Sequence, residues 1–233
     1  MTTEVSSPTR APALVPHTVG AEGRDPGWRS ENDWARLEPA GLYVRAVRGP
    51  FLLLVTLTLL PLALVPAVLV TLVNTIVQRD PRKVFFRQER IGRRGRPFVL
   101  LKFRTMRDVP GDDHARVTRF GRFLRNTHLD ELPQLVNVLR GEMCLIGPRP
   151  EMPETELWAG GLLPAFSERL VLAPGVTGLA QITQGYTDSG DVQAYREKLA
   201  LNERYRATLS FARDVSILWR TALWMLRGRG WRR

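Results

Sequence analysis

The chain has 233 residues, 44% of them hydrophobic, with 34 Lys/Arg against 23 Asp/Glu and a formal net charge of +11. Its single cysteine, Cys144, excludes an internal disulfide, and three histidines beside it leave too few of the usual ligands for a zinc site. The charge is uneven, with 15 Lys/Arg against five Asp/Glu in residues 79–126, and such a balance points to an anionic partner: nucleic acid, phosphorylated metabolites or an anionic lipid surface.

Residues 1–40 are rich in Pro, Gly, Thr and Ala without a sustained apolar period. They read as a disordered tail that lacks the apolar core and cleavage site of a signal peptide, with a short helix hinted at only by "WRSENDWARL". Residues 51–77 follow with 27 positions free of charge, and as a straight helix at ~1.5 Å per residue this run is long enough to cross a bilayer. Pro61 and Pro66 fall near its middle and favour a kink, and both flanks are basic: Arg45 and Arg48 before, Arg79, Arg82 and Lys83 after. The positive-inside rule gives such a segment no direction, so a spanning helix and a helix-break-helix hairpin both remain open.

"KVFFRQERIGRRGRPFVLLKFRTM" (83–106) predicts two short strands about a Gly92–Gly95 turn. "VTRFGRFLRN" predicts a helix with Phe120, Phe123 and Leu124 on one face and arginines on the other. A second helix is expected over "LDELPQLVNVLR", with Pro133 tolerated in its first turns. Thr127 with Asp130 three residues on reads as a capping box. Two Pro-Gly breaks, "GEMCLIGPRP" (141–150) and "APGVTGLAQIT" (173–183), precede helices over roughly 191–207 and 214–227. The last combines Trp219, Trp224 and Trp231 with Arg220, Arg227, Arg229, Arg232 and Arg233, which suits either a membrane interface or a core. Cys144 lies in apolar "MCLIG" and reads as a packing thiol.

The chemistry concentrates in "THLDELPQ" (127–134), where two adjacent carboxylates sit in a strongly basic part of the chain. Carboxylates repel phosphate unless a divalent metal bridges them to it, or cations neutralise the approach of one carboxylate to phosphorus. Asp130 and Glu131 could divide those tasks as nucleophile and Mg²⁺ ligand, since a carboxylate is ionised at neutral pH and needs no base. Arg125, Arg149 and Lys102 are candidates for the cationic clamp that phosphoryl transfer requires, each also readable as a solvated charge. His128, Gln134 and Asn137 read as local structural residues.

Taken together, these motifs resemble the bacterial sugar transferase family of monotopic polyprenyl-phosphate phosphoglycosyl transferases, which are undecaprenyl-phosphate sugar phosphotransferases. The resemblance runs from about residue 44 to 226 through "FFRQERIGRRGRPF" with "KFRTM", "LDELPQLVNVLRGEM" with "IGPRP", and "PGVTGLAQ". It implies transfer of a sugar-1-phosphate from a nucleotide diphosphate sugar, usually a UDP-sugar, to polyprenol phosphate, the first membrane step of glycan assembly. Asp130 would attack the β-phosphate and release UMP, Glu131 would hold Mg²⁺, and Arg125, Lys102 and the Pro148–Arg149 turn would contact the donor. The family's membrane segment is a re-entrant helix broken at a Ser-Pro pair, so the resemblance places the break at Pro66 and both ends in the cytoplasm.

The expected fold is accordingly α+β, mostly α. A tail (1–40) precedes a re-entrant helix-break-helix (41–78), a short β-hairpin and interfacial amphipathic helices, the catalytic domain (79–233) lying on the inner leaflet of the plasma membrane. Expected partners are the nucleotide sugar, polyprenol phosphate and membrane lipids, without nucleic acid, and an oligomer is left open. Departures fall at Val65 in place of the serine, Ala173 before Pro-Gly, Thr183, Gln184 and Gly185 where an Asn-Gly-Arg turn is common, and Asn202 near Tyr205. Two rivals are a membrane-tethered nucleic-acid-binding or scaffold protein, which leaves the Asp-Glu pair without a purpose, and a glycosyl transferase that releases UDP.

Overall fold

This computed structural model describes residues 29–109, 113–185 and 190–227, beginning ahead of the membrane-length segment. Helix α1 (Glu31–Leu37) is opened by a capping box: the Ser30 hydroxyl accepts from Asp33 N–H while the Asp33 carboxylate accepts from Ser30 N–H. Trp34 is buried in the main core, and Glu31 and Glu38 pair with Arg94 and Arg93. The stretch expected as a tail therefore contains a docked helix, because one tryptophan and two ion-paired glutamates anchor it. The remainder of that expectation, residues 1–28, lies outside the described residues.

A π-helical turn (Tyr43–Val47) leads into α2 (Arg48–Gln78), which runs unbroken through Pro61 and Pro66. The expected break at Pro66 is thus corrected to one continuous helix. Each proline removes only the bond to the carbonyl four residues back, at Leu57 and Leu62, while the bonds on either side hold the helical path. The flanking charges also need correction. Arg48 is a buried anchor, its Nε donating to Asp214 Oδ2 at 3.0 Å and its Nη2 to the Ile146 carbonyl at 2.6 Å. At the far end Asn74 donates to the Val84 and Arg104 carbonyls, each at 3.0 Å. Both ends of α2 are therefore tied to one body, whereas its apolar middle is exposed, Leu62 at 73% and Val65 at 65%. By length and composition, Tyr43–Gln78 could cross a membrane.

Strands β1 (Phe85–Ile91) and β2 (Pro97–Phe103) form the expected antiparallel hairpin, in register from Phe85↔Phe103 to Ile91↔Pro97. Its turn places Arg94 and Gly95 at positive φ. After a four-residue helix α3 (Asp113–Arg116), α4 (Arg119–Thr127) is capped by Thr118, whose hydroxyl accepts from Gly121 N–H at 2.8 Å. A Cβ on Gly121 would fall 1.9 Å from the Thr105 carbonyl oxygen, so glycine is what lets α4 lie against the chain leaving β2. Leu124 is fully buried and Phe123 half exposed, so the expected apolar face is only partly inward.

Helix α5 (Gln134–Leu139) is pinned to β2 by Asn137, which accepts from Leu101 N–H and donates to the Val99 carbonyl. A short parallel pair, β3 (Cys144–Ile146) and β4 (Gly175–Thr177), is separated by α6 (Pro153–Leu162) and a 3₁₀ stretch (Pro164–Val171). Helices α7 (Leu179–Gln184), α8 (Val192–Ala207) and α9 (Phe211–Leu226) complete the described chain, the last two close to the expected spans. The result is α+β, mostly helical. The main core gathers Leu52, Leu145, Ile146, Tyr205 and Ile217 at the start of α2, and a second cluster gathers Val70, Val84, Phe103 and Leu124 at its end. Trp219 is 66% exposed, whereas Trp224 packs inward; Trp231, Arg229, Arg232 and Arg233 lie outside the described residues.

Candidate active site

The acid pair does not sit in a capping box. Thr127 is the last residue of α4, and its hydroxyl donates back to the Phe123 carbonyl at 2.8 Å. His128 then adopts the left-handed region (φ 58°, ψ 14°) and closes that helix. A 3₁₀ turn, Leu129–Glu131, follows, and Pro133 stands at the N-cap of α5. The single helix expected over 129–140 is thus two pieces, since a proline cannot donate a bond back into the turn before it. Leu129 and Leu132 pack on the second cluster, and Asp130 and Glu131 between them are buried, 7% and 8% exposed.

Cations meet this pair from two directions. Lys102, on β2, donates to Glu131 Oε1 at 2.9 Å, and Arg149 approaches the same oxygen at 3.4 Å. Burial would raise the Glu131 carboxyl, but Lys102 and then Arg149 overrule it and hold it well below the usual range. Asp130 moves the other way. Burial, then the Glu131 charge, push it up to about 6 against the pull of Lys102, Arg125 and Arg149. Asp130 Oδ1 is buried without a hydrogen-bond partner. One carboxylate of the pair is therefore paired and firmly ionised, and its neighbour is held in a high-energy charged state. Arg125 is steered from Thr105, its Nε donating to Thr105 Oγ1 at 2.9 Å, and it acts on Asp130 through space.

Arg149 owes its position to close backbone packing. Gly147 N–H donates to the Thr177 carbonyl and Gly175 N–H to the Pro148 carbonyl, at 2.8 and 2.9 Å. A Cβ on Gly147 would lie 2.3 Å from the Ala173 oxygen, and one on Gly175 would lie 2.0 Å from Gly147 N. The two Pro-Gly breaks of the sequence are thus the two halves of one interlocked turn. Pro148 is buried and serves that turn through its carbonyl. Ala173 contributes backbone here, and its carbonyl also accepts from the Cys144 thiol, which burial pushes up in pKa.

A cavity of about 530 Å³ opens from Glu131 and Arg149. Its walls are apolar: Val55, Leu59, Leu62 and Pro66 from α2, Leu132 and Leu135, and Leu218, Trp224 and Met225 from α9. His128 and Trp224, ring centroids 4.8 Å apart, stand together in its lining. Pro66 thus reaches the site as a wall of this cavity. Of the residues singled out from the sequence, Lys102, Asp130, Glu131 and Arg149 converge directly, with Arg125 alongside. Sequence reasoning missed Trp224 as a cavity wall and Arg48 as the anchor of β3. It also missed Arg90, which donates to the Pro150 carbonyl in the turn that carries Arg149; the glycine spacing of "IGPRP" and "PGVTG" was the signal available for that turn.

Among the described residues no third Cys, His, Asp or Glu completes a metal cluster with the acid pair. Mg²⁺ characteristically takes one or two carboxylates and fills the rest of its octahedron with phosphate and water oxygens. The two carboxylates, with Asp130 Oδ1 unsatisfied, therefore fit an ion that arrives with a phosphate-bearing ligand and do not form a self-sufficient metal centre.

A membrane-length apolar helix tied at both ends to a basic body, with paired carboxylates and cations at the mouth of an apolar cavity, is consistent with the family that the sequence motifs resemble. Comparison with known proteins agrees: the bacterial sugar transferase family matches residues 45–228, and the chain belongs to it. It is 40% identical over 178 residues, 72% of this chain and 64% of the other, to a UDP-glucose:undecaprenyl-phosphate glucose-1-phosphate transferase of Caulobacter vibrioides. A UDP-N-acetylgalactosamine-undecaprenyl-phosphate N-acetylgalactosaminephosphotransferase of Aeromonas hydrophila is 34% identical over 86% of this chain and 48% of its own length. An undecaprenyl-phosphate glucose phosphotransferase of Komagataeibacter xylinus is 41% identical over 70% of this chain and 33% of its own. The chain thus spans between a third and two thirds of the length of these three relatives.

Proposed function

We propose that this protein transfers a sugar-1-phosphate from a UDP-sugar to polyprenol phosphate, releasing UMP. The observation that carries the reading is an unsatisfied buried carboxylate on Asp130 beside Glu131, with Lys102, Arg125 and Arg149 acting on the pair and Glu131 and Arg149 lining an apolar cavity. Asp130 is the nucleophile. Its carboxylate oxygen forms a bond to the β-phosphorus as the bond from that phosphorus to the bridging oxygen breaks, and UMP leaves with the electron pair. An oxygen of polyprenol phosphate then attacks the same phosphorus and frees the Asp130 carboxylate, leaving a lipid diphosphate sugar. Lys102, Arg125 and Arg149 contact the donor diphosphate and neutralise its phosphate oxygens as UMP leaves. Glu131 would hold Mg²⁺ at this place, and a bound Mg²⁺ supplies charge neutralisation at the diphosphate. The cavity beneath α2 and α9 takes the first part of the prenyl chain, its apolar walls matching an isoprenoid.

The same reading places the protein on the cytoplasmic face of the membrane as a monotopic element, supported by the two anchored ends of α2 and its exposed apolar middle. Cysteines introduced at Arg45 and Arg79 in a Cys144→Ser background should both be labelled from the cytoplasmic side alone. Labelling of one from outside in intact cells would establish a span. The activity itself is tested by nucleotide product: with UDP-sugar, Mg²⁺ and polyprenol phosphate the protein should release UMP, and UDP as the product would reject the reaction.

A further inference from the structure

The turn that carries Arg149 has an unusual constraint. Pro148 and Pro150 flank the arginine and neither has an N–H, so the two prolines can be tied only through their carbonyls. Both carbonyls are taken. Pro148 accepts from Gly175 N–H at 2.9 Å, and Pro150 accepts from Arg90 Nη1 at 3.2 Å. Arg90 comes from β1, whose end is fixed to the same segment because Ile91 N–H donates to the Glu151 carbonyl at 3.0 Å. Its other amino group donates to Gln88 Oε1, which sets the plane of the guanidinium.

Charge makes this placement costly unless it serves something. Arg90 lies near Arg149, and burial first, then the Arg149 charge, bring its pKa down to about 10, so it stays protonated at neutral pH. Its Nε is buried without a hydrogen-bond partner. The neighbouring Glu151 is already matched to Lys198 at 2.9 Å. A glutamine or methionine there would avoid the repulsion between two arginines and still fill the space. What an arginine adds is a fork that holds the Pro150 carbonyl while keeping positive potential behind Arg149.

We propose that Arg90 is a positioning residue for the donor site: by holding the Pro150 carbonyl it sets the reach of Arg149 to the diphosphate of the nucleotide sugar. The inference rests on the reading of Arg149 as a donor contact. Arg90 acts through Arg149, so removing it costs donor binding and leaves the acceptor step untouched.

The test is a double-mutant cycle on the full chain in lipid nanodiscs, reading donor KM and kcat from UMP release with UDP-sugar varied. Arg90→Gln should raise donor KM roughly tenfold, about 1.4 kcal/mol, with the KM for polyprenol phosphate unchanged. Arg90→Lys, which keeps the charge and one donor, should recover part of that loss. In an Arg149→Gln background, the same Arg90→Gln change should alter donor KM less than about twofold, because the residue it positions is gone. An undiminished tenfold effect in that background, or no effect in the native chain, overturns the inference. If Arg149→Gln by itself leaves donor KM at the native value, the reading of Arg149 as a donor contact fails, and the inference fails with it. Lower thermal stability of Arg90→Gln that is matched by equal losses in donor and acceptor KM identifies a merely structural residue and also overturns it.

Discussion

Two of the buried polar clusters among the described residues are built in opposite ways. At the start of α2, Asp214 accepts from Arg48 Nε, Tyr43 OH and Tyr205 OH at 3.0, 2.8 and 2.6 Å, while Arg48 also reaches Tyr205 OH and the Ile146 carbonyl. Every charge there is answered by the protein itself. At the Leu129–Glu131 turn, Glu131 is answered by Lys102 and Arg149, but Asp130 keeps an unpartnered oxygen and a raised pKa. A satisfied cluster fixes a structure and an unsatisfied one stores reactivity; the difference separates the anchor of the apolar helix from the proposed chemical centre.

That contrast is broken most severely at Asp130. Asp130→Asn should lower transfer by about three orders of magnitude or more, because a neutral amide cannot attack phosphorus, while circular dichroism stays native. The matching change at the anchor should do the reverse. Asp214→Ala leaves Arg48 buried and uncompensated, so a loss of about 3–5 kcal/mol is expected in denaturant unfolding, with activity falling only as folded protein is lost. Stable Asp214→Ala protein with selectively lost transfer would erase the distinction.

The raised pKa of Asp130 adds a stability signature of its own. The folded pKa of about 6 lies above the ordinary 3.8, so ionisation costs the native state stability that is lost as pH rises from 3.8 through about 6 and is fully present again below 3.8. Asp130→Asn should therefore raise the melting temperature at pH 7–8, by a ΔΔG of order 1 kcal/mol, and have no such effect near pH 3.5. In the native enzyme, activity should rise with pH through the same region near 6 as the nucleophile ionises. A flat rate from pH 5 to 8 would contradict the assignment. Glu131→Gln should act differently again, moving the Mg²⁺ concentration at half-maximal rate upward by roughly tenfold and being partly relieved at high metal.

The smallest effects test what the sequence suggested and the chain does not do. The spacing of Thr127 and Asp130 matches a capping box, yet the left-handed His128 ends one helix there, and the real cap of α4 is Thr118. Thr118→Ala should cost about 1 kcal/mol, whereas Thr127→Ala should be nearly neutral. Local pattern was sufficient for the β1–β2 hairpin, α8 and α9, whose signals lie in turn residues and apolar spacing. That Lys102 and Arg149 come to the acid pair was expected from the sequence because the proposed phosphate chemistry would use those residue types together. Arg48 was not: beside an apolar run it looks like a solvated flank, and only Asp214, 166 residues away along the chain, makes it an anchor. Arg90 and Trp224 were hidden for the same reason, since their partners come from distant parts of the chain. The break was placed at Pro66 because the family resemblance implies one at a Ser-Pro pair, but losing one hydrogen bond in a helix held at both ends only perturbs it.

The most direct measurement is a donor-only turnover. With UDP-sugar and Mg²⁺ but no polyprenol phosphate, the protein should release about one UMP per active site and stop. The retained phosphosugar should appear by mass spectrometry on the peptide containing Asp130 and vanish when acceptor is added. If UMP forms only in the presence of acceptor, and no adduct is found after a quench that preserves acyl phosphates, Asp130 is not the nucleophile and the two displacements collapse into one.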